Sequence, residues 1–231
     1  MKTIGLIGGM SWESSLDYYR IINETVKEKL GGLHSAECLM YSVDFGIIEK
    51  YLQKEEWEKI ADRIIEIANN LEKGGAGFIL LCTNTMHNLA ERIETSINIP
   101  LLHIADATAD EIIKKGLKKV GLLGTRFTME MDFYRTRLKN LYNIDVLIPE
   151  KEERDFIHKV IFEELCLGQF KPDSKKAYLE IINNLTCRGA EGIILGCTEI
   201  PLLIKQDDLE VFLFNTSRIH AISAVEFALK K

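Results

Sequence analysis

An internal repeat is the feature of this sequence that most constrains its fold. The segment Val120–Gly124 (VGLLG) repeats Ile4–Gly8 (IGLIG) with an offset of 116 residues, and Gly192–Glu199 (GIILGCTE) repeats Gly77–Asn84 (GFILLCTN) with an offset of 115 residues. Both offsets are about half of the 231 residues. Solenoid repeats are much shorter and more numerous, so the sequence predicts a duplicated half and not a solenoid.

Short apolar segments alternate with longer amphipathic segments in the first half of the chain. The spacing of apolar residues predicts strands over Lys2–Ile7, Glu37–Val43 and Phe78–Leu81, and helices over Glu13–Leu30 and Glu55–Lys73. Ser11 is the expected N-cap of the first helix. Alternating strands and helices are typical of a parallel sheet covered by helices, and the repeat extends this pattern to the second half.

The repeat also predicts the domain organisation. We expect an α/β protein with two similar Rossmann-like lobes, the first over residues 1–100 and the second over 101–218, related by a pseudo-twofold. A strand is expected over Val211–Phe214, and a C-terminal helix over 219–231 could pack on the first lobe. Ligand-binding groups collect beyond the carboxyl ends of parallel strands, so we expect the active site in the cleft between the lobes.

Charge and cysteine content argue against several classes of protein. The chain has 29 basic and 35 acidic residues and no basic block, so we expect no nucleic-acid or membrane partner. No apolar run approaches the ~20 residues that a membrane span needs. The five cysteines are odd in number and lack C-x-x-C spacing, so neither a disulfide framework nor a metal site is expected. The N-terminal apolar segment is short and lacks a signal-peptide cleavage site, which predicts a cytoplasmic protein.

Two Cys-Thr pairs are the strongest functional signal. Cys82-Thr83 and Cys197-Thr198 each follow a predicted buried strand at equivalent positions of the repeat. The polar residues that come next could begin a helix, whose N-terminal N–H groups can stabilise a thiolate or a substrate carboxylate. If the two halves face each other, the two thiols lie on opposite walls of the cleft. One base on each face of a chiral carbon suits stereoinversion, in which one Cys removes the Cα proton and the other returns a proton.

A structural interpretation competes with this one, because a cysteine at a strand end is more often a core residue than a catalyst. The matched positions in both halves favour function for the two pairs. Cys38, Cys166 and Cys187 have no such context and are interpreted as structural. Near His87 the sequence has only Cys82 and no second Cys or His, so we do not interpret it as a zinc ligand. We interpret it as a packing residue or as one that supports the residues of the site.

Four motifs make the chain resemble the aspartate/glutamate racemase family, the cofactor-independent two-cysteine racemases, and most of all its branch with broad-specificity amino-acid racemases. These motifs are Ile7–Ser14 (IGGMSWES), Leu81–His87 (LCTNTMH), Gly124-Thr125 and Gly196–Ile200 (GCTEI). The resemblance covers essentially the whole chain. It implies two α/β lobes with the active site between them, no pyridoxal phosphate or other cofactor, no metal, and a homodimer. It also implies that Cys82 and Cys197 form the acid/base pair.

The resemblance extends to the neighbours of the two cysteines. Asn84 and Thr85 resemble the family's binders of the substrate carboxylate and amine. The other expected substrate-binding residues stand on the loops that follow the repeated strands: Met10, Ser11, Thr83, Thr125, Thr198 and Glu199. Glu199 could receive the substrate ammonium, and its alternative role is that of an acid in the first turn of a helix.

The side chain of the substrate is predicted from two positions. Aspartate-specific relatives hold the distal carboxylate with an Arg after the second strand and a Lys in a later helix. Here Phe45–Gln53 contains no Arg and only Lys50, and the Lys position falls at Glu163. Like charges would then meet in the pocket, which favours a neutral or polar amino acid, or broad specificity, over strictly aspartate. The alternative is that Glu163 is a solvated helix residue.

Three other functions stay open at this point. The chain could be an aspartate- or glutamate-specific racemase, a Cys-dependent hydrolase or lyase, or an amino-acid-binding module without chemistry. All three fit the same fold, because fold alone does not determine function. A small-molecule amino acid is the expected partner in each case except the hydrolase or lyase.

Overall fold

The chain forms two compact units. The computed structural model describes residues 1–230, so Lys231, the last residue of the predicted C-terminal helix, lies outside the described residues. The first unit comprises Met1–Ile104 and the C-terminal segment from His220, and the second comprises Ala105–Ile219. Each unit contains one four-stranded parallel sheet with helices between the strands, so the predicted α/β class is confirmed.

The first unit has its sheet in the order β2-β1-β3-β4. Its strands are β1 (Ile4–Gly8), β2 (Cys38–Ser42), β3 (Phe78–Leu81) and β4 (Leu101–Leu102). Its helices between these strands are α1 (Trp12–Leu30), α2 (Phe45–Gln53), α3 (Trp57–Lys73) and α4 (Ala90–Glu94), with a 3-10 turn over Thr85–Leu89.

The second unit repeats this order of strands as β6-β5-β7-β8, as the sequence repeat predicts. Its strands are β5 (Lys119–Gly124), β6 (Asp145–Leu147), β7 (Gly192–Gly196) and β8 (Phe212–Asn215). The remaining helices are α5 (Ile104–Lys114), α6 (Arg126–Glu130), α7 (Asp132–Tyr142), α8 (Lys151–Glu163), α9 (Pro172–Cys187), α10 (Ile200–Leu203) and α11 (Thr216–Leu229). Two 3-10 turns cover Leu165–Leu167 and Gln206–Asp208. Within residues 1–230, no helix combines the length and apolar character that crossing a membrane requires.

Helix starts follow from local side-chain chemistry. Helix α1 begins after Ser11, whose Oγ accepts a hydrogen bond from the Ser14 N–H at 3.4 Å, so the predicted N-cap is confirmed. Helix α3 begins two residues later than predicted, because Glu55 has a φ of 53° and forms a left-handed turn after α2. Helix α2 itself is an element that the apolar spacing did not indicate.

Helix α11 contributes to the core of the first unit. Ala221, Ala224, Val225 and Ala228 pack in one buried cluster with residues of β1, α1 and β3, among them Tyr18. The helix begins at Thr216, earlier than predicted, because the side chain of Asn215 accepts a hydrogen bond from the Arg218 N–H at 3.1 Å. Small side chains along this face let the helix lie close to the sheet.

The loop between β1 and α1 depends on glycine. Gly9 has a φ of +90°, and a Cβ atom there would lie only 2.4 Å from the backbone oxygen of Val43. The Val43 N–H in turn donates to the Gly8 carbonyl at 3.0 Å. This close approach fixes the loop after β1 against the loop after β2.

Replacing Gly9 by Ala is therefore expected to destabilise the protein by about 2 kcal/mol or more, from backbone strain together with the clash. Gly31→Ala is the matched control, because Gly31 also has a positive φ of +72° but a Cβ there meets no atom within 4 Å. Urea unfolding of both variants measures the difference. Equal losses of stability in the two variants would contradict the close approach at Gly9.

Candidate active site

Cys82 is held at the carboxyl end of β3 by both neighbouring elements. Its N–H donates to the Ile7 carbonyl of β1 at 2.9 Å, and the Ser14 hydroxyl of α1 donates to the Cys82 carbonyl at 3.3 Å. The residue has no exposed surface. The backbone of Cys82 is thus fixed from both sides, which sets the position of its thiol.

The structure brings six of the predicted site residues together in the first unit. They follow the adjacent strands β1 and β3, and all are buried: Met10, Ser11, Cys82, Thr83, Asn84 and Thr85. Neighbouring strands lie about 4.8 Å apart, so the two loops are within reach of one small molecule. Hydroxyl and amide side chains with adjacent backbone N–H groups can bind a carboxylate here.

His87 fixes the loop that follows Cys82. The Ile104 N–H donates to His87 Nε2 at 3.2 Å, so Nδ1 carries the proton and donates to the Thr83 carbonyl at 2.8 Å. Burial, with the nearby His103, lowers the pKa of His87 well below its usual value. The neutral ring therefore holds the Thr83 carbonyl in place through this hydrogen bond.

Two further histidines lie beside His87 in the core. The rings of His87 and His103 are 4.6 Å apart, and those of His87 and His220 are 5.7 Å apart. His220 Nε2 donates to the Leu102 carbonyl at 3.0 Å, and its Nδ1 accepts from the Tyr18 hydroxyl at 2.9 Å. Among residues 1–230, no group of three or more His, Cys, Asp or Glu side chains is arranged to hold a metal ion.

The thiol of Cys197, in the second unit, is hydrogen-bonded to a carboxylate. Its thiol donates to Glu199 Oε2 at 2.9 Å, and the Thr198 hydroxyl donates to the same oxygen at 2.8 Å. All three residues are buried. Glu199 therefore touches the thiol directly, beyond its alternative role as a first-turn acid of α10.

Both thiols have raised pKa values, for partly different reasons. Burial alone raises the pKa of Cys82. Burial raises the pKa of Cys197 first, and the Glu199 carboxylate raises it further because a neighbouring negative charge disfavours the thiolate. Burial at both cysteines, and the carboxylate at Cys197, therefore favour the neutral thiol over the thiolate.

Thr125 joins Cys197, Thr198 and Glu199 as the fourth predicted site residue at the carboxyl ends of β5 and β7. Its hydroxyl caps α6 by accepting from the Thr128 N–H at 3.3 Å. A Cβ atom at Gly124 would lie 2.9 Å from the Gly196 carbonyl oxygen, so the loops that carry Thr125 and Cys197 approach closely. The second unit therefore groups Thr125 with Cys197, Thr198 and Glu199.

Glu163 does not join this group. It is the last residue of α8, its side chain is 65% exposed, and its carboxylate lies 3.8 Å from Lys159 Nζ. This position favours the solvated-helix alternative, and we leave Glu163 out of the proposed site.

Sequence reasoning missed the roles of two serines. Ser14 bonds to the Cys82 carbonyl, as described above. The Ser15 hydroxyl accepts from the Gly9 N–H at 2.7 Å and donates to the Ser11 carbonyl at 3.0 Å. The sequence pattern that could have indicated these roles is a pair of adjacent serines in the first turn of a helix that follows a glycine loop. At such a position a serine hydroxyl can form a hydrogen bond with the nearby backbone.

Known proteins match this chain over its length. The family description Asp/Glu/Hydantoin racemase matches residues 7–230. A candidate Asp/Glu racemase from Yersinia pestis, known from a crystal structure, is 50% identical with a TM-score of 0.93, and an aspartate racemase homologue from Pyrococcus horikoshii OT3 is 38% identical with a TM-score of 0.85. Both comparisons cover 100% of each chain. The broad specificity amino-acid racemase RacX of Bacillus subtilis strain 168 is 24% identical over 96% of each chain.

Two parallel four-stranded sheets with a Cys-Thr pair after the corresponding strand of each define an α/β protein with the two-lobed racemase fold. The chain belongs to the Asp/Glu/Hydantoin racemase family. Its named homologues are amino-acid, aspartate and glutamate racemases, which are isomerases.

Replacing Glu199 by Gln removes the charge beside Cys197 but keeps a side chain that can accept a hydrogen bond. Because the carboxylate disfavours the thiolate, we expect the pKa of Cys197 to fall in this variant. The rate of alkylation of Cys197 by iodoacetamide should then begin to rise at a lower pH than it does in the native protein. Peptide mass spectrometry over a pH series measures this, with the exposed Cys187 as internal reference.

The matched control is Glu163→Gln, which also removes one carboxylate from the second unit. Because Glu163 is exposed and paired with Lys159, this variant should leave the alkylation of Cys197 unchanged. Identical pH profiles for Cys197 in the native protein and in the Glu199→Gln variant would contradict the contact between thiol and carboxylate.

Proposed function

We propose that this protein is an amino-acid racemase that interconverts L- and D-amino acids without a cofactor, using Cys82 and Cys197 as its two acid/base groups. Family membership supports a racemase. The observation that carries the two-base mechanism is the placement of a Cys-Thr pair directly after the same strand of each sheet. A duplicated position supplies one base of the same chemical type from each half.

The proposed reaction moves one proton on and one proton off the Cα carbon. The thiolate of one cysteine takes the Cα proton, and the electron pair of the broken C–H bond delocalises into the substrate carboxylate. The thiol of the other cysteine then gives its proton to the opposite face of the planar carbon. The first cysteine ends as a thiol and the second as a thiolate, so the reverse reaction exchanges their roles.

The neighbouring residues support the charge changes of this reaction. Asn84 and Thr85, with Met10 and Ser11, are proposed to hold the substrate carboxylate, where extra negative charge develops. Glu199 is proposed to receive the substrate ammonium, whose positive charge would offset the carboxylate and favour a thiolate nearby. We propose further carboxylate and amine contacts for the remaining hydroxyls of the two groups, namely Thr83, Thr125 and Thr198.

We propose a neutral or polar substrate, or broad specificity. The segment Phe45–Gln53 forms α2 and contains no Arg that could hold a distal carboxylate. The position at which aspartate-specific relatives carry a Lys is occupied by the exposed Glu163. The relative RacX is described as a broad specificity amino-acid racemase. The second candidate is an aspartate or glutamate racemase, because the Yersinia and Pyrococcus relatives are described in those terms. From the resemblance we also propose that the active form is a homodimer.

Removal of either thiol should strongly reduce racemisation. We expect Cys82→Ser and Cys197→Ser each to lower kcat by about 100-fold or more, since a serine hydroxyl is a far weaker acid/base at neutral pH. Cys187→Ser is the matched control, because this thiol is exposed at the end of α9 and should be dispensable. Chiral chromatography of a panel of enantiopure amino acids, with aspartate and glutamate included, measures activity and substrate range together.

Different results of this panel point to different functions. Native activity in both single-serine variants would exclude the two-base mechanism. Racemisation of aspartate or glutamate alone would favour the second candidate. Binding of amino acids without any inversion would favour a binding module, and release of CO2 or a covalent thioester from another substrate would favour a lyase or hydrolase.

The pH dependence of racemisation should report the raised pKa values of the thiols. Because burial raises the pKa of both Cys82 and Cys197, the thiolate that acts as the base becomes populated only as the pH rises. We therefore expect kcat/KM to increase from neutral to alkaline pH, by up to about tenfold per pH unit. A kcat/KM that is already constant from mildly acidic pH upwards would contradict this expectation.

A further inference from the structure

The cluster of buried histidines in the first unit has no role in the reaction as proposed so far. His87, His103 and His220 are all buried, and the His87 ring lies beside the other two. An imidazole ring is costly to bury unless its nitrogens are hydrogen-bonded. The hydrogen bonds of the cluster therefore show which parts of the backbone these rings hold in place.

His87 holds two successive carbonyl groups of the loop after Cys82. Its ring Nδ1 donates to the Thr83 carbonyl at 2.8 Å, and its backbone N–H donates to the Asn84 carbonyl at 3.1 Å. In a planar trans peptide the C=O and N–H groups point in opposite directions. The N–H groups of Asn84 and Thr85 therefore point away from the donors of His87, and these two bonds set the orientation of both peptides.

The other ring nitrogen of His87 is bound near the end of β4. Nε2 accepts from the Ile104 N–H at 3.2 Å, which keeps the ring proton on Nδ1. Burial, with the nearby His103, lowers the pKa of His87 well below its usual value, which favours this neutral form. Filling space alone would require neither bond, whereas both nitrogens of this ring are used.

His220 holds the same end of β4 from helix α11. Its Nε2 donates to the Leu102 carbonyl at 3.0 Å, and its Nδ1 accepts from the Tyr18 hydroxyl of α1 at 2.9 Å. Leu102 is the last residue of β4, two residues before Ile104, whose N–H donates to His87. Hydrogen bonds and a short stretch of backbone thus connect α1 and α11 to the ring of His87.

We propose that His87 is a positioning residue for racemisation, which orients the two peptides after Thr83 so that Asn84 and Thr85 hold the substrate carboxylate. This inference rests on the proposed function, in which negative charge develops on that carboxylate. His87 acts through the backbone of its neighbours and takes no proton from the substrate. A misplacement of about 1 Å at a substrate-positioning group can slow a reaction about 100-fold, so the orientation of these peptides affects the rate.

Two substitutions of His87 separate the two hydrogen bonds of its ring. The amide N–H of an Asn side chain can replace Nδ1 as the donor to Thr83, whereas the longer Gln side chain reaches the position of Nε2 and can accept from Ile104. We expect His87→Asn to keep kcat/KM for racemisation within about threefold of the native value, and His87→Gln to lower it by about tenfold or more. Chiral chromatography with the amino acid that the native protein racemises fastest measures both. Urea unfolding should show similar losses of stability, since each variant loses one ring hydrogen bond.

The matched control is His220→Gln, which changes the same buried cluster. A Gln amide can still donate to the Leu102 carbonyl, and the bond between His87 and Thr83 stays in place. We expect this variant to keep kcat/KM within about threefold of the native value. A loss of activity as large as that of His87→Gln would show that the cluster acts through packing alone.

Nitrogen-15 NMR of the native protein tests the ring of His87 independently of any variant's folding. With histidine labelled, we expect the ring proton of His87 on Nδ1 at neutral pH. A proton on Nε2, a charged ring, or equal losses of kcat/KM in His87→Asn and His87→Gln would overturn the inference while leaving the racemase function intact. Absence of racemisation by the native protein would instead refute the proposed function, and this inference with it.

Discussion

Parallel pairing of the two central strands is the constraint on which the candidate site depends in each unit. Strands β1 and β3 are paired with Ile7 opposite Leu81, and β5 and β7 with Gly124 opposite Gly196. All four strands are buried along almost their whole length, so their apolar residues fix the pairing. The pairing in the first unit therefore places Cys82, which follows β3, beside the loop after β1. The pairing in the second unit places Cys197, which follows β7, beside the loop after β5.

The two halves share a topology but differ in charge beside the thiol. The second residue after Cys82 is Asn84, whereas the second residue after Cys197 is Glu199, whose carboxylate accepts a hydrogen bond from the thiol. Burial raises the pKa of both thiols, and at Cys197 the neighbouring carboxylate raises it further. The proposed two-base reaction requires one of these thiols to begin as the acid and the other to begin ionised as the base.

Much of the fold followed from the sequence because the repeat is strong. It predicted the shared strand order, and the apolar run of Phe78–Leu81 matches β3 residue for residue. Helix α2 was missed because its start depends on Asp44 capping the Gly46 N–H, a contact that apolar spacing does not reveal. The exposure of Glu163 did not follow from the sequence, because a shift of one residue along a helix turns a side chain by about 100°. The bond between Cys197 and Glu199 depends on the turn after β7, which the sequence does not specify.

The claim that two thiols act on one Cα carbon is tested most directly by the native enzyme in deuterated water. Proton NMR at early times, with one enantiomer as substrate, follows hydrogen and deuterium at Cα in both enantiomers. With two separate bases, the product enantiomer carries deuterium at Cα, while the remaining substrate keeps its original hydrogen. A product that retains the substrate's own hydrogen, or substrate that exchanges as fast as product forms, would show one base acting on both faces and would contradict the claim.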